Sequence, residues 1–337
     1  VELRRKARKK FGLDADLMYF TASGLEQSTH GLVAAHRAHR LAALPAGSVL
    51  DLCCGIGADL VAFARAGLDV NGVERDPVTA AIATANLSAL GCRGQVRVGE
   101  AETTTRDGYD VTFADPARRG AAGRVFNPRS YSPPWTFVSE LLRECAVVKV
   151  APGIPHSLVP DDVEAEWVSL DGQLKEAALW AGQPGVSRRA TLLRSRGDTG
   201  AVTDADDTGA VSTQEPGRYV YEPDDAVIRA HLVTAVAARV KGWLLDEHLA
   251  YVSSDHLVRT PLARAYEVID VLPFKEKQLR AALRARDVGP LTIKKRGVQV
   301  TPETLRSRLA LTGSRAATIV LTRTPKSAVA LLVEPID

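Results

Sequence analysis

The chain predicts an α/β protein with a doubly wound, mostly parallel sheet, preceded by a helical segment and followed by an α+β domain. Three observations carry that expectation. Residues 49–60 run from a buried apolar strand through Gly55 and Gly57 into a helix start. Strand-like runs then recur at 68–74, 95–98, 110–114 and 146–150, with helical periodicity between them. After a polar stretch, a fresh pattern of helices and strands begins at Gly217.

Residues 1–46 read as helical. Leu32, Val33, Ala35, His36, His39, Leu41 and Leu44 sit at helix-like spacing before the Pro45-Ala46-Gly47 break. The segment reads equally as a packing element or as a lid, with Phe20, Gln27 and Thr29 near a ligand. Residues 47–195 fit the doubly wound unit. Asp76 and Pro77 suit a helix N-cap and first position, Val78, Ala81, Ile82 and Ala85 its buried face, and Gly91 its stop. Runs at 163–170, 176–180 and 189–193 can supply the last, antiparallel strands.

Residues 196–216, rich in Gly, Asp and Thr, read as a mobile linker or long loop. Residues 217–337 form the α+β domain. A helix is expected over 225–240, with Val227, Ile228, His231, Leu232 and Val236 on one face. A second is expected over 277–286, and strands at 291–293, 317–322 and 328–333.

A chain of 337 residues suggests about two domains, and 45% hydrophobic with 25% charged residues is an ordinary globular composition. The net charge of +3 excludes no partner class. Its distribution says more: residues 275–296 hold eight Lys or Arg against Glu276 and Asp287, and residues 1–10 hold six against Glu2. Cys53, Cys54, Cys92 and Cys145 make no metal-type pair, so the expectation is no metal and a reduced cytoplasm. No apolar stretch is long enough to span a membrane, and the basic start lacks the apolar run of a secretory signal. Met18 is the only methionine, so an initiator residue is expected to be missing.

The glycine turn after the first strand is a ligand site by the switch-point rule. A dinucleotide fingerprint requires a third glycine, and Leu60 stands there. A pyrophosphate would be repelled by Asp51 on the strand and Asp59 at the helix start. S-adenosylmethionine carries a sulfonium and an ammonium, so carboxylates favour it. Glu74 ends the second strand and is placed to accept both ribose hydroxyls.

The stretch Asp51-Leu52-Cys53-Cys54-Gly55-Ile56-Gly57 resembles motif I of class I S-adenosylmethionine-dependent methyltransferases, and Glu74-Arg75-Asp76-Pro77 resembles their second motif. The resemblance implies a Rossmann-like methyltransferase sheet with S-adenosyl-L-methionine as cofactor. It assigns cofactor binding to Asp51, Cys53, Gly55, Ile56, Gly57, Glu74 and Arg75, to Glu100 and Ala101 after the third strand, and to Asp115. Such enzymes often set an acid against the adenine amine; Glu100 is the candidate, with an ordinary loop acid as the alternative.

The fourth strand ends in Asp115-Pro116-Ala117-Arg118-Arg119, and groups there can meet the transferred methyl. Asp115, Pro116 and Arg118 are therefore the candidate catalytic residues. Methyl transfer is an in-line displacement, in which the enzyme positions the nucleophile and removes solvent. Amino-methylating relatives have a second proline and a stacking ring where this chain has Ala117 and Arg118. Pyrimidine-C5 methylating enzymes need a Cys after the fifth strand, whereas Cys145 precedes it. Ser132-Pro133-Pro134-Trp135 reads as a helix start with Ser132 as cap, with Trp135 a candidate to flank a substrate pocket. His156 is a candidate base or a structural residue.

The order of these motifs, continued by Val148-Lys149-Val150-Ala151-Pro152-Gly153, Tyr221-Glu222-Pro223-Asp224 and Ile293-Lys294-Lys295-Arg296-Gly297, resembles bacterial methyltransferases with a C-terminal THUMP-like domain. The N-terminal part also resembles trimethylguanosine-synthase-type methyltransferases. THUMP domains present RNA to modifying enzymes, so the resemblance implies tRNA or rRNA as substrate, and the basic patch can neutralise phosphates. Alternatives are a small-molecule or protein methyltransferase, or a donor-binding RNA adaptor without turnover.

Overall fold

A computed structural model describes residues 1–117, 119–120, 123–124, 131–182, 185–197 and 199–336. The chain divides into two compact units, Val1–Arg189 with Leu193–Asp198, and Ala190–Leu192 with Thr199–Asp337.

The first unit opens with α1 (Glu2–Phe11), α2 (Ala22–Gln27) and α3 (Gly31–Ala42). Strands and helices then alternate as β1 (Ser48–Asp51), α4 (Ala58–Arg65), β2 (Asp69–Glu74), α5 (Pro77–Ala89), β3 (Gln95–Val98) and β4 (Val111–Ala114). A two-residue antiparallel pair follows, β5 (Arg119–Gly120) with β6 (Gly123–Arg124). After it come α6 (Trp135–Leu141), β7 (Ala146–Val150), β8 (Glu164–Leu170) and β9 (Gln173–Ala181), then β10 (Arg188–Leu193), whose residues Ala190–Leu192 belong to the second unit.

Seven strands of this unit lie in the order β8-β9-β7-β4-β1-β2-β3, within a nine-stranded sheet. β1 pairs in parallel with both β2 and β4, so the chain order reverses between β1 and β4. A crevice opens beyond the C-terminal ends of strands at such a reversal. Val49 and Leu50 point to opposite faces and are both fully buried, so the sheet is covered on both sides. Phe63 of α4 meets Phe113 of β4 edge-on at 5.2 Å, in a core with Val49, Leu60, Val70 and Trp180.

Three local expectations change. α5 is capped by Asp76, whose Oδ2 accepts from Thr79 N at 2.8 Å, but its buried face is Ala80, Ala83, Asn86 and Leu87. Val78, expected inside, is 63% exposed. The helix is alanine-rich, so apolar contrast between its faces is small, and the buried amide of Asn86 decides the rotation. α3 likewise turns Val33, Ala34, Arg37, Ala38 and Leu41 inward, leaving Leu32 and His39 exposed, because Arg37 is held by buried acids. α6 starts at Trp135 with Pro134 as its cap. Ser132, expected as the cap, instead exchanges backbone hydrogen bonds with Ala117 at 2.7 and 3.1 Å.

In the second unit, residues 199–216 hold β11 (Thr199–Thr203) and a 3-10 turn at Asp204–Asp206. Then come β12 (Tyr219–Pro223), α7 (Asp225–Arg229), α8 (Val233–Arg239), β13 (Trp243–Asp246), β14 (Leu249–Ser254), β15 (Ala263–Pro273), α9 (Glu276–Arg284), β16 (Val288–Lys295), α10 (Pro302–Leu309), β17 (Arg315–Arg323) and β18 (Ala328–Pro335). Their sheet runs β13-β14-β12-β15-β18-β17-β16. β16 and β17 are parallel, joined by α10; Leu279, Leu283, Leu305 and Leu309 of α9 and α10 bury against Leu291, Ile319 and Leu332. The single helix expected over 225–240 is two. His231 takes φ 56°, which ends α7, and the new direction lets α8 bury Ala235, Val236 and Ala237.

No helix among the described residues is long and apolar enough to cross a membrane. No group of three or more His, Cys, Asp or Glu among them could hold a metal ion.

Candidate functional site

A cavity of about 440 Å³ lies at the switch point of the first unit. Its walls are the loop after β1, the tip of β2, the turn after β3, the end of β4 and residues 23–29. Asp51, Cys53, Gly55, Ile56, Glu74, Arg75, Glu100, Ala101, Asp115 and Pro116 all line it. Gly57 does not. It caps α4 with φ 82°, and a Cβ there would sit 3.3 Å from the Ala83 methyl, so it serves the turn. Arg118 lies outside the described residues.

Eight carboxylate side chains line the cavity against one cation, Arg75, among the described residues. That balance repels phosphate and attracts a cation. Asp51 is 1% exposed. Its Oδ1 accepts from Cys53 N at 3.2 Å, and its Oδ2 has no partner. Burial first, then Asp59 and Asp115, push the Asp51 carboxyl well above the usual carboxylate range. An arriving ammonium would offset that cost. Glu74 is fixed at the tip of β2: its Oε2 accepts from Gly55 N at 3.1 Å and its Oε1 from Asp76 N at 2.9 Å. Each oxygen keeps a second lone pair.

Behind the cavity runs a buried polar chain that sequence reading missed. Lys149 Nζ donates to Asp115 Oδ2 at 2.6 Å and to Thr29 Oγ1 at 2.8 Å. Thr29 Oγ1 donates to Asp59 Oδ2 at 2.6 Å. Arg37 then pairs with both Asp59 and Glu176. The signal for it was present: a lone cation inside the apolar strand Val147-Val148-Lys149-Val150 demands a buried partner. Partners so remote along the chain could not be named.

The N-terminal segment is tied down rather than loose. The Asn86 amide donates to Ile56 O at 2.8 Å and Tyr19 O at 3.1 Å and accepts from Tyr19 N at 2.7 Å. Lys10 Nζ donates to Leu25 O, Glu26 O and Ser28 O at 2.7, 3.0 and 2.7 Å. A Cβ on Gly24 would lie 2.5 Å from Ile56 Cγ2, so only glycine allows this approach to the loop after β1. Gln27 and Thr29 line the cavity; Phe20 instead lies tilted against Phe11 at 5.8 Å and packs with Ala7, Ala15 and Leu25. Two further candidates lie off the cavity. His156 stacks on Trp167 at 4.9 Å, and Trp135 meets Tyr131 edge-on at 6.3 Å. Ser132 and Pro133 do line it, beside Ala117, and Ser132 Oγ accepts from Arg75 Nη1 at 3.2 Å.

In the second unit the basic run divides. Lys294 pairs with Glu222 at 2.6 Å, Arg296 with Asp225 at 3.7 Å, Arg280 with Glu276 at 3.0 Å, and Arg286 with Asp270. Lys275, Lys277, Arg284 and Lys295 have no acid partner among the described residues.

Residues 263–335 match a family model described as THUMP domain-like. Two Mycobacterium tuberculosis proteins, from strains CDC 1551 and H37Rv, are each described as an uncharacterized S-adenosylmethionine-dependent methyltransferase. Each is 37% identical over 335 residues, covering 95% of this chain and 90% of its own length. The crystal structure of a candidate methyltransferase from Porphyromonas gingivalis W83 shares the fold, with TM-score 0.83 at 22% identity over 100% of this chain and 89% of that chain.

Proposed function

The chain belongs to the S-adenosylmethionine-dependent methyltransferases, and on that premise we propose that its acceptor is RNA, of the tRNA or rRNA class. S-adenosyl-L-methionine is the cofactor, and it supplies a sulfonium-bound methyl carbon open to in-line attack. The cavity fits this group: its volume suits a ligand of that size, Asp51 Oδ2 is buried without a partner, and the lining is strongly acidic.

In this reading Asp51 receives the donor's ammonium, Glu74 its ribose hydroxyls and Glu100 its adenine amine. Cys53, Gly55, Ile56, Arg75 and Ala101 shape the walls. Asp115 and Pro116, with Arg118, orient the acceptor and exclude water. Residues 1–46 and 47–195 act as the donor-binding part, 196–216 as a connector, and 217–337 as the acceptor-binding part, in a reducing cytoplasm.

The observation that carries the RNA reading is the THUMP domain-like match at 263–335, on the unit that presents Lys275, Lys277, Arg284 and Lys295. THUMP domains proper present RNA to modifying enzymes, and unpaired cations suit phosphates. One observation favours a small-molecule or protein acceptor: four of the eight cations in 275–296 are engaged by this chain's own acids. Incubation with methyl-labelled donor and separate total RNA, protein and small-metabolite fractions decides. Label in tRNA or rRNA is expected. Label confined to protein or metabolites overturns the RNA reading.

A further inference from the structure

Strand β7 reads Ala-Val-Val-Lys-Val, and Lys149 is 4% exposed within it. Burial opposes its charge, but Asp115, Glu176 and Asp59 together outweigh that and hold the ammonium above the usual lysine range. It is therefore a fixed cation and not a base. Its hydrogens are directed: one to Asp115 Oδ2 at 2.6 Å, one to Thr29 Oγ1 at 2.8 Å, with Glu176 Oε2 at 4.0 Å. Stability gives little reason for such a pair, since apolar replacements of buried ion pairs are often neutral or stabilising.

The position of Asp115 supplies the reason. It ends β4 at the switch point, its side chain is 23% exposed, and it lines the donor cavity. Among the described residues no hydrogen bond is made to its Oδ1. We propose that Lys149 is a positioning residue for methyl transfer: its ammonium holds Oδ2 of Asp115 and leaves Oδ1 to receive an N–H of the acceptor nitrogen. Through Thr29, the same ammonium ties that carboxylate to the segment that walls the cavity.

The step this serves balances without another reactant. The acceptor nitrogen's lone pair forms the N–C bond. The C–S bond breaks, its pair goes to sulfur, and the proton left on nitrogen passes to Asp115. Lys149 keeps its own protons throughout. The inference rests on the methyltransferase reading and not on RNA as the acceptor.

Two measurements on the full chain test it. With 15Nζ-labelled lysine, the buried ammonium should give a 1H–15N signal at pH 8, where exposed lysine ammoniums exchange with water. That signal should vanish in Lys149→Met and move in Asp115→Asn. In single-turnover transfer at saturating labelled donor, Lys149→Met should lose about 100-fold in rate, with S-adenosylhomocysteine affinity kept within about threefold and Lys149→Arg regaining most of the loss. A signal unmoved by Asp115→Asn overturns the pairing. Parallel loss of rate and affinity in Lys149→Met shows a merely structural lysine and overturns the role. Absence of any labelled acceptor with the wild-type chain counts against turnover of RNA or any other acceptor, and the pairing is then decided by the ammonium signal.

Discussion

Asp51→Asn should make the free protein more stable and donor binding weaker. Asp51 is 1% exposed, with Oδ2 unpartnered and Asp59 and Asp115 close enough to raise its pKa. Asparagine keeps a carbonyl oxygen for Cys53 N–H, now accepted at 3.2 Å, and puts a neutral NH2 in place of the ionisable oxygen. Unfolded, Asp51 ionises near pH 3.8; folded, it does so well above that. Between those values the folded chain holds the extra proton, so this group's contribution falls as pH rises through the window. The substitution removes that loss, raising the melting temperature of the free protein above pH 3.8 and leaving it unchanged below. Donor binding loses a charge-assisted hydrogen bond of about 1.5–3 kcal/mol, roughly 10- to 150-fold in Kd. Calorimetry with S-adenosylhomocysteine reads the ammonium alone, because that molecule lacks the sulfonium. At pH values below its raised folded pKa, wild-type binding should also release a proton, seen as a buffer-dependent enthalpy that the variant lacks. Affinity within about twofold of wild type, or a fall in melting temperature near neutral pH, would refute the reasoning.

Further outcomes are expected at Lys10, Asn86 and the basic run of the second unit. Lys10→Met removes the bonds to Leu25 O, Glu26 O and Ser28 O, so amide exchange at residues 25–28 should quicken and donor affinity should drop. Burial, then Lys149, pull the Lys10 pKa down to about 8 from 10.5; the unfolded chain binds the extra proton between those values, so stability should rise with pH there, and Lys10→Met should flatten the rise in urea titrations. Asn86→Ala orphans the buried Ile56 O at about 1–3 kcal/mol and frees the part-buried Tyr19 N and O at smaller cost, which urea unfolding measures. If RNA binds the second unit, Lys277→Gln should reduce the salt slope of binding by about 0.7–0.9. Lys294→Gln should leave that slope alone and lower stability, because its ammonium already pairs with Glu222.

Much of the donor site was legible because it is local in the chain. A strand, two glycines and a helix start within residues 49–60, with Glu74 one strand later, define a βα turn whatever surrounds it. Continuous apolar runs also located β1, β4 and β7, which are buried on both faces, and helical periodicity located α9, whose Leu279 and Leu283 face one way. It failed where contrast was low or a single backbone torsion mattered: the buried face of alanine-rich α5, and the break at His231. Only the tertiary structure showed which charges meet. Lys149 finds Thr29 and Asp115, Arg37 finds Asp59 and Glu176, and Lys294 finds Glu222, across separations of 22 to 139 residues. Hydrophobic pattern tells a residue whether to be inside. It does not tell a buried charge which partner offsets its desolvation, because that depends on how strands distant in the chain are ordered in the sheet.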